Sequence, residues 1–132
     1  MGRSIRVGIA VLLAAVISGP PPSAQTPIKP VMRAKLDHSQ KILEAVVTGN
    51  WLLLDRESRE MALIVRDPAW SALAMPEYSR HSEAFLRATN DLREAARLRD
   101  LESASLGLVA LTTSCVSCHR YLARARVVTA RP

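Results

Sequence analysis

Large rings are scarce in this 132-residue chain. Aromatic residues make up 4% of it: Trp51, Trp70, Tyr78, Phe85 and Tyr121. A core with so few rings must be built from Leu, Ala and Val, or be completed by something that is not protein. Glycine is equally sparse, at 5 residues, and turn dipeptides such as Asn-Gly are absent. No alternating apolar–polar pattern runs beyond a few positions. Together these absences exclude a sandwich or barrel of many short strands. The chain also lacks a paired Asp/Glu set, a Ser/His/Asp arrangement and a Gly-rich phosphate loop. Nothing in it points to an enzyme acting on a substrate.

What is present has the composition of one globular domain, with 48% apolar and 23% charged residues. The first segment has the pattern of an address rather than of fold. Met1 to Gly8 carries Arg3 and Arg6 and no acid, and Ile9 to Ile17 is apolar. Gly19-Pro20-Pro21-Pro22-Ser23-Ala24 then breaks the run with small residues. This is the pattern of a secretory signal peptide over residues 1–24, cleaved after Ala24. The apolar run is about half the ~20 residues needed to cross a bilayer. Residues 25–132 would form the mature domain, exported or periplasmic and not membrane-spanning after cleavage. Losing Arg3 and Arg6 takes the formal charge from +6 to +4. For an exported chain that excess is a weak argument for nucleic acid.

The remainder predicts four helices. Val31 to Val47 spaces Met32, Leu36, Ile42, Leu43, Val46 and Val47 helically and ends at Gly49. Residues before Val31, with Pro27 and Pro30, predict an extended lead-in. Trp51 to Arg66 repeats the pattern until Asp67-Pro68 stops it. After a connector from Ala69 to Met75, Pro76 opens a third helix. Its seam is Tyr78, Ser82, Phe85, Thr89, Leu92 and Ala96. Asp100 can cap the last helix, with the stripe Leu101, Ala104, Leu108, Leu111, Cys115 and Leu122. Charged runs such as Arg56, Glu57, Arg59 and Glu60 are expected to be solvated faces, and His38 a surface residue. The fold class is all-α: an up-down-up-down four-helix bundle.

The chemistry lies in Cys115-Val116-Ser117-Cys118-His119, the C-x-x-C-H signature of c-type haem attachment. Each thiol can form a thioether with one vinyl group, and the adjacent histidine then lies under the iron. On a helix these positions are i, i+3 and i+4 and face one way, continuing the buried stripe. Three other uses of the residues compete. A Cys115–Cys118 disulfide closes a very short loop and stabilises little. A thioredoxin-like pair would open a helix after a strand, and no strand is near. A zinc site would need Cys115, Cys118, His119 and one of His38 or His81, without the usual second ligand pair.

The late position of this motif resembles the class II c-type cytochromes, the cytochrome c′ group and its low-spin relatives. The resemblance also rests on the helix-ending Val46-Val47-Thr48-Gly49 and the Trp70 connector. It covers about Pro30 to Val128. Tyr121 lies two residues past His119, where many of the group have an aromatic three past. The resemblance implies one covalent haem c on the last helix, with Cys115 and Cys118 as thioether residues and His119 as proximal ligand. The opposite iron face would come from the first helix. Met32 is the candidate distal ligand, and Leu36, on the same expected core face, the candidate haem-packing residue. A ligated Met32 implies one-electron transfer; an open iron implies a protein that binds NO or CO. Lys29 or Arg33 could pair with the propionates. Arg120, Arg124, Arg126 and Arg131 follow the motif, a basic end suited to an acidic redox partner. A homodimer is also compatible with the resemblance.

Overall fold

A computed structural model describes residues 28–71 and 75–129 of the chain. The segment expected to be a signal peptide, and Arg131, lie outside the described residues. Four α-helices carry the fold: α1 (Ile28–Thr48), α2 (Trp51–Leu63), α3 (Pro76–Leu98) and α4 (Leu101–Thr129). No strand occurs among the described residues. Helix α1 begins earlier than the lead-in predicted, taking Pro30 into its first turn. The N–H groups of a first turn have no intrahelical acceptor, so the one that proline lacks is not missed.

The helix ends explain the sharp reversals. Gly49 takes φ 64° after α1. Its N–H reaches the Val46 carbonyl and that of Asn50 reaches Ala45 at 2.9 Å, the paired closure of a Schellman end. Asn50 then turns donor into acceptor: its side chain takes the Leu53 N–H at 3.1 Å and caps α2. A 3₁₀ turn, Ile64–Arg66, extends α2 until Asp67, held extended ahead of Pro68. Pro76 stands in the first turn of α3. Between α3 and α4 the same closure recurs, with Arg99 at φ 55° in place of glycine. Asp100 caps α4 by accepting from the N–H groups of Glu102 and Ser103.

Successive helices are antiparallel. His38 meets Glu57, Asp55 meets Arg93, Leu92 meets Gly107, and His81 meets Tyr121. The α3 seam is buried at Tyr78, Phe85, Thr89, Leu92 and Ala96, joined by Ala88 and Ala95. Ile42, Leu54, Met61 and Leu111 complete the centre.

Helix α4 differs from its predicted stripe. Leu101 is exposed, and Leu108, Cys115 and Leu122 lie at the margin; the buried line is Ala104, Gly107, Leu111, Ser114 and Cys118. The cause is close packing on α3. A Cβ at Gly107 would stand 3.0 Å from Leu92 Cγ and Cδ2, so the small residues, not the large ones, face the neighbour. By length and composition Leu101–Ala125 would suffice to cross a membrane; in this fold its small-residue face packs on α3.

Two polar assignments are corrected. Glu57 is buried, not solvated, and His38 is half-buried against it, with Nδ1 2.7 Å from Oε2. Arg56 and Lys41 reach the same carboxylate. Burial alone would raise the Glu57 pKa, but the hydrogen bonds from His38 and Arg56 and the Lys41 charge hold it below the usual range.

Candidate functional site

The connector before α3 builds one wall of the site. Asp67 Oδ1 accepts the Ala69 N–H, and the Asp67 carbonyl accepts that of Trp70. This turn drives the Trp70 ring inward. Its Nε1 donates to Ser82 Oγ at 3.0 Å, and Tyr78 Oη donates to the Trp70 carbonyl at 2.6 Å. The Phe85 ring lies 5.3 Å from that of Trp70. Three of the chain's five aromatic residues therefore form one cluster at the base of α3.

Over this cluster lies a residue that the sequence analysis did not single out: Lys35. It is only 7% exposed. Its Nζ stands 4.0 Å from the Phe85 ring centroid and 4.6 Å from that of Trp70. No ion pair or hydrogen bond of this ammonium occurs among the described residues. Burial pushes its pKa down, and any negative charge on Cys115 or Cys118 acts in the opposite direction. Lys35 was missed because a single lysine in a helical pattern looks like a solvated position; the only signal was its i−4/i+7 spacing to Val31 and Ile42.

The residues of the motif sit on α4 as i, i+3 and i+4. Both thiols are free; Cys118 is buried and Cys115 half-buried. Burial raises the Cys118 thiol pKa, the Lys35 charge opposing it. His119 does not continue the buried stripe but is exposed, because the close α3 contact turns it and Cys115 to the edge of α4. Cys115, Val116, His119, Arg120 and Ala123 line a shallow groove there of about 390 Å³.

On α1, Met32 is half-buried against the core margin, whereas Leu36 is 48% exposed. The two do not share a buried face as expected. Val31, Lys35, Ile42, Ala45 and Val46 hold that face, and Leu36 is displaced from it by the one-residue offset from Lys35. Helices α1 and α4 touch each other far less than do the other neighbouring pairs.

These features fit a plate-like prosthetic group bound by the motif. Two thiols and an imidazole stand at i, i+3 and i+4 on one helix, Cys118 in the aromatic-lined core and Cys115 and His119 at a groove with apolar Val116 and Ala123, and the α1–α4 pair is thinly packed. They fit zinc less well. Among the described residues no three His, Cys, Asp or Glu side chains converge on one point. His38 is held by Glu57, and His81 lies 5.4 Å from the Tyr121 ring. Searches with the chain found no matching family model, curated protein or solved structure.

Proposed function

We propose that this chain is an exported monohaem c-type cytochrome of the class II kind, a four-helix bundle whose last helix carries the haem and which passes single electrons between partner proteins. The observation that carries the reading is the i, i+3, i+4 set of Cys115, Cys118 and His119 on α4, with Cys118 in the buried cluster that holds Trp70, Tyr78 and Phe85. When bound, the haem supplies the Fe(II)/Fe(III) couple.

Each thiol would hold it by adding S–H across a vinyl group, sulfur bonding to one carbon and hydrogen to the other, with no net oxidation. His119 would offer a ring nitrogen to the iron. Trp70, Tyr78 and Phe85 would keep water from its core side. Met32, on α1, remains the distal candidate named by the resemblance, and Leu36 the apolar residue beside it. Exposed Arg120 and Arg124 give this end a positive face for an acidic partner, where charge raises the encounter rate.

Expression in a periplasm equipped for haem attachment tests the reading. Red protein that keeps its colour through acid–organic extraction supports it. Colourless protein, or haem that extracts, contradicts it. Prompt CO binding by the reduced protein would replace the carrier role with gas binding at an open iron.

A further inference from the structure

We propose that Lys35, through its Nζ, supplies the sixth iron ligand of the bound haem, in place of Met32. This rests on the haem-carrier reading above.

Four observations support it. Lys35 stands on α1, the helix across from the motif, with its stem and amine buried in the core. The two rings it stands against, Phe85 and Trp70, belong to the same buried cluster as Cys118 of the motif, so the amine enters the core that one attachment thiol also enters. No carboxylate among the described residues pairs with it, so no structural ion pair explains why a lysine is buried there. Its neighbours are the faces of Phe85 and Trp70, which shield the amine from water without consuming its lone pair.

A role as propionate partner fits less well. The thioethers mark the vinyl edge of a haem, and the propionates lie on the opposite edge. Met32 is a weaker donor in this fold, being only half-buried at the core margin. Burial favours the neutral amine at Lys35, the form that has a lone pair to give. A nitrogen ligand of this kind suits Fe(III) better than a thioether does.

The test uses oxidised holoprotein and its electron paramagnetic resonance and near-infrared charge-transfer bands, which separate His/amine, His/thioether and five-coordinate iron. The wild type should be low-spin with the His/amine signature and without the weak red band of Met–iron coordination. Lys35→Gln should lose the low-spin signal and bind CO promptly when reduced. Lys35→Arg, which keeps the charge but cannot ligate, should behave like Lys35→Gln, whereas a purely electrostatic lysine would leave its signal unchanged. Lys35→Met keeps an unbranched side chain in the core, guards against misfolding and should bring the Met–iron band. Unchanged spectra in all three Lys35 variants, with loss of the low-spin signal in Met32→Ala, would overturn the inference while leaving the haem carrier intact. Absence of covalent haem in the wild type would overturn both.

Discussion

The ammonium of Lys35 lies 4.0 Å from the centre of the Phe85 ring, inside the helical core and with no carboxylate partner among the described residues. A buried charge costs free energy unless it is paired, and a cation–π contact returns about 0.5–2 kcal/mol of that cost. Replacing it by an apolar chain of similar length should therefore help the haem-free protein. Lys35→Met is expected to raise unfolding free energy by about 1–3 kcal/mol in chemical denaturation. The pH dependence has a fixed sign. The folded pKa is lowered, so the unfolded chain binds more protons between the two values. Wild-type stability should climb as pH rises toward the ordinary lysine value of 10.5, and Lys35→Met should lose that climb.

Glu57 titrates in the opposite sense. Its carboxylate is held below the ordinary value of 4.5 by His38, Arg56 and Lys41 despite burial. Its contribution is complete above that value and is lost as pH falls through the lowered one. Glu57→Gln should cost about 1–3 kcal/mol at neutral pH, as charged hydrogen bonds are lost. The gap between variant and wild type should narrow in acid, measured by denaturation at several pH values.

Much of this was legible in the sequence, and the exceptions share a cause. The α3 seam was readable because Tyr78, Phe85 and Leu92 are large and spaced for a helix. The ends were readable because Gly49, Asp67-Pro68 and Asp100 are chemically specific. The inward face of α4 was not, because packing there needs smallness, and Gly107 and Ser114 do not look like core. Lys35 and Glu57 escaped for a related reason. A charged residue declares itself buried only through its partners, and Glu57 meets His38 19 positions back while Lys35 meets Trp70 and Phe85 35 and 50 positions on. The motif residues were visible, but their outward turn on α4 follows from the α3 contact.

That contact can be tested alone. Gly107→Leu would drive a side chain into Leu92, whose Cγ and Cδ2 already lie 3.0 Å from where a Cβ would stand. Thermal unfolding should show a loss of about 1–3 kcal/mol, typical of overpacking.

Arg99 offers a gain. It holds φ 55° at the end of α3, a conformation that glycine adopts without steric cost. Arg99→Gly should stabilise the fold by about 0.5–1 kcal/mol, read as a higher denaturation midpoint with unchanged slope.

The Trp70 wall depends on Tyr78. Its hydroxyl donates to the Trp70 carbonyl at 2.6 Å within the core. Tyr78→Phe leaves that carbonyl without its donor and should cost about 1–3 kcal/mol. It should also shift the tryptophan fluorescence toward that of a wetter indole.

The central claim is that Cys115 and Cys118 together bind one haem on α4. Mass spectrometry of the tryptic peptide spanning residues 100–120, from protein matured in a haem-attaching periplasm, tests it most directly. The account predicts one haem per peptide, joined through both sulfurs, with neither thiol open to alkylation. An unmodified peptide in which both thiols alkylate, or in which they are joined to each other, would contradict it.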